Sequence, residues 1–228
     1  MAERVVVFFD WQNIYKRARE AFGYDDSPAY KGQADPIDLA LLLAGKHAEN
    51  MGVEVELTQI RIYRGRPTQQ HDPRGYNAFQ RQAARWSRNN KVRPRFNDLR
   101  YPEDWGEPGC AAPREKGIDV ALAVDLVSMA HNDDMDVAIV MSADYDLVPA
   151  IQEVVTRRIH RGVGPVVSVA AWKSEHNGRP LRIRLQSDAL WCHWLSEQDF
   201  WSVEDDTDYG VAPPNTSTVP VPGPPRLR

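Results

Sequence analysis

Aspartates follow two of the most apolar runs of the chain, one directly and one after a Ser-Ala step. Asp10 comes after Val5–Phe9, and Asp144 and Asp146 come after Val137–Met141. Carboxylates that lie close together repel one another unless a cation neutralises them, and Mg²⁺ takes oxygen ligands of this kind. A bound Mg²⁺ can activate water and stabilise negative charge on a phosphodiester. The pattern therefore indicates phosphodiester chemistry, although either aspartate alone could equally cap a helix or form a turn.

A third segment, KGIDVALAVD, places two more acids on a predicted helix between those strands. Asp119 lies in its first turn, where the helix dipole alone would favour an acid. Asp125 lies among Leu122, Leu126 and Met129, and a buried charge there needs a partner or access to solvent. Both are candidate members of an acidic site, and a purely structural role stays open for each.

Strands that alternate with helices must bring these segments together. Runs of apolar residues without alternation predict buried strands at 5–9 and 136–141. The pattern predicts one α/β domain whose mostly parallel sheet is covered on both faces. In such sheets ligands bind beyond the carboxyl ends of the strands, so Asp10 and Asp144 are expected to share a site. Other predicted elements are strands at 53–64, 91–96 and 166–172, a strand or turn at 181–185, a short aromatic-rich segment at 190–195, helices at 12–22, 36–50, 73–89, 116–131 and 145–158, and a long loop at 97–115.

Length and composition bound the class of protein. The 228 residues are 42% apolar and 26% charged, which is ordinary for a globular chain. The domain is predicted to span 1–205, and the proline-rich segment 206–228 is predicted to be a disordered tail. The apolar runs are too short to cross a bilayer, and the first residues do not resemble a signal peptide. With Cys110 and Cys192 far apart in sequence, we expect a cytoplasmic protein with reduced thiols and no membrane association.

Positive charge is concentrated in residues 61–100. This region holds eleven Lys and Arg against two Asp, a balance of +9 in a chain whose formal charge is −4. Arg74, Arg81, Arg85 and Arg88 follow helical spacing, and aromatic residues are interleaved with them. This density favours a surface for a polyanion. A solvated helix face in a chain with 22 Arg and 6 Lys is the alternative.

In this order, FFDWQN, KGIDVALAVD and VMSADYDLVPAI resemble the three signatures of NYN domains, members of the PIN-like nuclease superfamily that include the LabA-like proteins. The resemblance covers about residues 5–172. It implies a three-layer α/β/α PIN-like fold, which is Rossmann-like, and ribonuclease activity that depends on Mg²⁺ or Mn²⁺. The third signature departs from the usual S-G-D-S-D-F, because Ala143, Tyr145 and Leu147 replace its glycine, second serine and aromatic residue.

The resemblance also implies roles for the residues that match the signatures. Asp10, Asp119 and Asp144 correspond to the catalytic acids that hold the metal, and Asp146 to a ligand acting through the metal's waters. The neighbouring residues are expected to support this site: Asn13, Lys116, Asp125 and Ser142. Arginines of the basic region are expected to bind RNA phosphates, since guanidinium pairs with phosphate through two hydrogen bonds: Arg64, Arg66, Arg74, Arg81, Arg85 and Arg88.

Other functions have less support in the sequence. There is no phosphate-binding G-x-x-x-x-G-K-[ST] loop, and the six histidines lack the spacing of zinc ligands. A haloacid-dehalogenase-like phosphatase would need a second aspartate at Gln12. The strongest alternative is an RNA-binding or regulatory PIN-like module with little or no catalysis. Whether the chain pairs with a second copy or with another protein stays open.

Overall fold

The centre of the structure is a sheet of six parallel strands in the order β3-β2-β1-β4-β5-β6. The computed structural model describes residues 1–174, 181–186 and 190–212. The strand order reverses between β1 and β4, the position at which open α/β sheets bind ligands. The strands are β1 Glu3–Asp10, β2 Val55–Arg66, β3 Val92–Asp98, β4 Val137–Met141, β5 Val166–Trp172 and β6 Trp191–Leu195.

Helices cover both faces of the sheet, which gives the predicted three-layer α/β/α fold. The inner strands are buried on both sides because their side chains alternate between two cores: Val7 faces one and Val6 the other. The first core is completed by α1, α2, α3 and α6, and the second by α4 and α5. The helices are α1 Trp11–Phe22, α2 Pro36–Met51, α3 Pro73–Trp86, α4 Ile118–His131, α5 Val148–Arg161 and α6 Glu197–Val203.

The predicted elements are present with shifted ends. The helix predicted from residue 116 begins at Ile118, because Gly117 precedes it with a φ of 75°. The helix predicted from residue 145 begins as the 3₁₀ turn Tyr145–Leu147 and continues as α5. The helix predicted to reach residue 89 ends at Trp86. Residues 181–186 form neither helix nor strand, and the aromatic-rich segment at 190–195 forms β6.

Two irregular segments pack against this framework. The loop between β3 and α4 is closed by an antiparallel bridge between Arg100 and Arg114, and Trp105 Nε1 donates a hydrogen bond to the carbonyl of His71 at 3.0 Å. The first residues of the predicted tail, 206–212, are described, and Tyr209 is buried. The rest of that tail, 213–228, lies outside the described residues. Within the described part of the chain, no helix is both long enough and apolar enough to cross a membrane.

Candidate active site

Asp10 is the last residue of β1 and the N-cap of α1, and both of its carboxylate oxygens accept hydrogen bonds. Oδ1 accepts a hydrogen bond from the backbone N–H of Asn13 at 3.2 Å, which caps the helix. Oδ2 accepts from the Ser142 hydroxyl at 2.8 Å. The side chain lies beneath the surface, with the residue 4% exposed. Asp10 is therefore a helix cap, and it also lies at the carboxyl edge of the sheet.

The loop after β4 is tied to the end of β1 by further hydrogen bonds. Parallel pairing sets Phe9 beside Met141, so the residues that follow each strand meet. Asn13 Oδ1 accepts from the Ala143 N–H at 3.0 Å, and Ser142 Oγ accepts from the Asp144 N–H at 3.0 Å. The two acid-bearing strand ends that the sequence predicts to share an edge are thus joined through Asn13 and Ser142.

Asp144 and Asp146 follow Ser142 on this loop. The Asp144 carboxylate accepts from the Asp146 N–H at 2.9 Å and caps the 3₁₀ turn. Asp144 is half-buried, whereas Asp146 is exposed. Asp144 therefore has the enclosed position expected of a ligand, and Asp146 faces solvent, where it could act through water.

Asp119 lies in the first turn of α4 and completes the acidic cluster, which we define as Asp10, Glu115, Asp119, Asp144 and Asp146. Partial burial, and then repulsion from Asp144 and Asp146, raise the pKa of Asp119 above its ordinary value. Burial raises the pKa of Asp10 to about 7, against the hydrogen bonds from Ser142 and Asn13, and repulsion from Asp119 and Glu115 adds to it. Burial is thus the main cause of each rise in pKa, and repulsion between neighbouring carboxylates adds to it.

Glu115 is a member of this cluster that the sequence analysis did not identify. Its carboxylate accepts a hydrogen bond from the N–H of Gly65, near the end of β2. Burial raises the pKa of Glu115, the bond from Gly65 opposes this, and repulsion from Asp119 raises it further. Glu115 lies only four residues before Asp119, and this short distance is the one sign of its role in the sequence. It belongs to an irregular, proline-rich loop, however, and such a loop has no periodic pattern that identifies inward-facing residues.

The donor chemistry of the cluster fits a hard divalent cation. Its carboxylate oxygens are the ligands that Mg²⁺ and Mn²⁺ take, and their mutual repulsion is what a cation would relieve. In the residues that the structure describes, however, no three His, Cys, Asp or Glu side chains are arranged closely enough to hold an ion. Asp10, Asp119 and Asp144 are the residues that would supply ligands, assisted by Asp146.

Cationic side chains flank the cluster on its β2 side. Arg64 and Lys16 both attract Glu115 and oppose the rise of its pKa. Burial lowers the pKa of Arg64 itself to about 10, against the attraction of Glu115. Both cations line an open cavity together with Arg114. A second cavity, which shares Leu99 with the first, is lined by further cations: Arg66, Arg100 and Lys116.

The family of the chain is identified by a match over most of its sequence. The model of the NYN domain family matches residues 4–174, a range that includes all three acidic segments. The chain belongs to the NYN domain family. A comparison with curated proteins finds no match. Among solved structures, the chain is similar to the crystal structure of a protein of unknown function from Vibrio parahaemolyticus, with 20% identity over 74% of this chain and 81% of that chain and a TM-score of 0.44. That similarity is too low to bear on the site.

Asp125 of this NYN domain lies apart from the acidic cluster. Its Oδ2 accepts from Arg61 Nη2 at 2.5 Å and from the Tyr63 hydroxyl at 2.7 Å, and its Oδ1 pairs with Arg95 Nη2 at 2.9 Å. The buried charge of Asp125 therefore has the partners that its apolar surroundings require. The structure gives Asp125 a place between α4 and the strands β2 and β3, rather than a contact with Asp10.

The six arginines predicted to bind RNA do not share one surface role. Arg64 donates a hydrogen bond to Gln82 and lies over the ring of Trp86, and Arg66 pairs with Asp98 at 2.7 Å. Arg81 and Arg85 of α3 contact the segment that follows α6, Arg81 at the Tyr209 carbonyl and Arg85 at the Asp205 carboxylate. Arg74 and Arg88 are exposed. Lys116 is exposed as well, and its carbonyl accepts a hydrogen bond from the Asn97 amide.

Proposed function

We propose that this NYN domain is a metal-dependent ribonuclease that hydrolyses RNA phosphodiester bonds at the acidic cluster. The supporting observation is that acids from three distant segments lie near the same end of the sheet, where Asp119 repels Asp10 and Asp144 repels Asp119. The family is one of nuclease-like domains with the PIN-like fold. PIN-like nucleases generally use divalent metals, which agrees with this all-oxygen donor set.

The chain's own residues would orient the reaction. A bound Mg²⁺ or Mn²⁺ would activate water and stabilise negative charge on the phosphodiester. The Ser142 hydroxyl fixes one oxygen of Asp10, and the Asn13 side chain fixes the backbone of the loop that carries Asp144. These hydrogen bonds hold the carboxylates in place before any ligand arrives, so less reorganisation is needed on binding.

The RNA backbone would run along the cavities on the β2 side of the cluster. Lys16, Arg64 and Arg114 line the cavity nearest to the acids, and their charges complement phosphate. On α3, Arg81 and Arg85 have partners within the chain, as Arg64 has in Gln82, so Lys16 and Arg114 are the cations of this cavity best placed to bind phosphate. The structure therefore supports a phosphate path beside the 99–117 loop better than one along the outer face of α3.

One observation favours the alternative, an RNA-binding or regulatory module without turnover. In the described ranges the acids are near one another but do not converge on one point. A domain in that state could bind RNA through its cations and hold an ion weakly. The two functions make different predictions for the substitution of Asp10.

The test is RNA cleavage in Mg²⁺ or Mn²⁺ by the wild type, by Asp10→Asn and by Asp136→Asn. Replacing Asp10 removes a charged ligand while keeping one oxygen as the acceptor for the Asn13 N–H, so we expect cleavage to fall about a hundredfold or more. Asp136 is the matched control. It precedes β4 at the opposite edge of the sheet and pairs with Arg4 at 2.9 Å, so its substitution should leave cleavage in place.

Cleavage that survives in Asp10→Asn, in a preparation free of contaminating nuclease, would show that the proposed site is wrong. If neither the wild type nor Asp10→Asn cleaves but both bind RNA, the binding module is the correct function. Equal loss in Asp10→Asn and Asp136→Asn would also contradict the proposal, because it would indicate a general effect on folding.

A further inference from the structure

A separate cavity lies between α1 and the ends of β4 and β5. It is on the side of the acidic cluster away from the Lys16 cavity, and its lining includes Asn13, Ser142 and Ala143. The same three residues form the hydrogen-bonded link between Asp10 and the β4 loop. A molecule in this cavity would therefore touch the residues that position the catalytic carboxylates.

The size and walls of the cavity suit a planar ring. It opens to solvent and has a volume of about 150 Å³, a size that is enough for one aromatic ring. Small side chains keep the space open: Ala21 of α1 and Ala143 and Ala170 of the strand ends lie in its wall, and Trp172 adds an aromatic surface. The cavity thus combines apolar walls with polar residues, among them Asn13 and Ser142, as small-molecule sites commonly do.

The rim offers a hydrogen-bond donor and an acceptor side by side. Arg17 Nη1 and Glu20 Oε2 lie 2.6 Å apart, and their side chains are 38% and 53% exposed. An exposed pair of this kind contributes little to stability, so a ligand could exchange its hydrogen bonds at small cost. The edges of nucleobases carry donors and acceptors next to each other.

We propose that this cavity binds the base of a nucleotide whose phosphate lies at the acidic cluster. The proposal rests on the proposed function for the position of the phosphate, whereas the base site rests on the cavity itself. RNA would then be held on both sides of the cluster, by its base in this cavity and by its backbone along Lys16 and Arg114.

The experiment measures binding without cleavage, using the Asp10→Asn protein and ligand-observed saturation-transfer NMR. The probes are the four common ribonucleosides, which lack phosphate, and ribose 5-phosphate, which lacks a base. Ala21→Leu fills the cavity from α1 with a residue that favours helix, and Ala84→Leu, at an exposed position of α3, is its matched control. We expect at least one nucleoside to bind, about tenfold more weakly in Ala21→Leu than in Ala84→Leu.

A second variant, Glu20→Ala, removes the acceptor at the rim from a surface position, so it tests the site even if Ala21→Leu fails to fold. Weaker nucleoside binding in Glu20→Ala supports the proposal. Absence of nucleoside binding, binding unchanged in both variants, or binding of ribose 5-phosphate that is lost in Ala21→Leu overturns it.

RNA cleavage tests the proposed function independently of nucleoside binding. Metal-dependent cleavage that is lost in Asp10→Asn would stand even if no nucleoside bound. Conversely, the wild type could fail to cleave RNA while the domain binds a nucleoside and Ala21→Leu weakens that binding. That result would support the base site and contradict the ribonuclease function.

Discussion

Asp10 combines two roles that its sequence context left as alternatives. As a helix cap it accepts the Asn13 N–H, and as a member of the acidic cluster it is buried close enough to Asp119 and Glu115 to be repelled by them. Two hydrogen bonds do not fully compensate for burial, so the pKa of Asp10 rises to about 7. The carboxylate is thus held in place at a cost in stability, and shifted pKa values of this kind are common in functional sites.

This cost predicts an unusual pH dependence for Asp10→Asn in the presence of a chelator. The folded pKa lies above the ordinary value of 3.8, so the folded state binds a proton that the unfolded chain has lost between about pH 4 and 7. The contribution of Asp10 to stability therefore becomes less favourable as the pH rises through that window. We expect Asp10→Asn to be more stable than the wild type at pH 8, by about 1–4 kcal/mol, and this advantage to fall by more than about half at pH 5. Urea unfolding at the two pH values measures the difference.

Asp136→Asn should change the stability in the opposite direction in the same experiment. The hydrogen bonds from Arg4 lower the pKa of Asp136 below its ordinary value, so this carboxylate stabilises the folded state above the unfolded pKa. Its substitution should reduce stability at pH 8. An Asp10→Asn protein that is less stable than the wild type at pH 8 would contradict the burial argument.

At the scale of elements, α3 illustrates why a row of charges is hard to interpret from sequence. Its arginines follow helical spacing, which fitted both a polyanion surface and a solvated face. In the structure Arg85 lies within 3.2 Å of Asp35, the cap of α2, and within 3.5 Å of Asp205, while Arg81 Nε donates to the Tyr209 carbonyl at 2.7 Å. The partners come from distant parts of the chain, and no local pattern identifies them.

The same contacts predict different effects for neighbouring arginines. Arg85→Ala would leave two largely buried carboxylates, Asp35 and Asp205, without their cation, although Arg85 itself is 45% exposed. We expect a loss of about 1–2 kcal/mol in the free energy of unfolding. Arg88→Ala, at an exposed position in the turn that follows α3, should change it by less than about 0.5 kcal/mol. Thermal unfolding of both variants tests this, and equal effects would show that the contact with Asp205 contributes nothing.

The elements that carry the acids were more predictable than those that carry the cations. Val5–Phe9 and Val137–Met141 are apolar at every position because both faces of each strand are buried, so their ends and the acids that follow could be located. Glu115 and Arg114 lie in an irregular loop whose path is fixed by the Arg100–Arg114 bridge and by the Asn97 side chain. Such contacts leave no periodic trace in the sequence.

At the scale of the whole molecule, the acidic cluster joins parts of the chain that belong to different layers. Asp10 follows the central strand, Asp144 follows its neighbour across the reversal of strand order, and Asp119 begins a helix on one face. Alternating strands and helices predict a parallel sheet, and a parallel sheet places these ends together. The neighbouring positions of these strand ends were therefore accessible from the sequence, whereas the partners of Asp125 were not.

Because the cluster links three segments, a bound cation should stabilise the entire domain. A ligand that binds only the folded state adds to the free energy of unfolding, about 2.7 kcal/mol at a hundred times its Kd. We expect the melting temperature of the wild type at pH 8 to rise with Mn²⁺ concentration and to saturate. Asp10→Asn should begin with a higher melting temperature in chelator and gain little from Mn²⁺, while Asp136→Asn should keep the full gain. A rise of equal size in wild type and Asp10→Asn would place the ion elsewhere, since the only difference between them is a carboxylate at the carboxyl edge of β1.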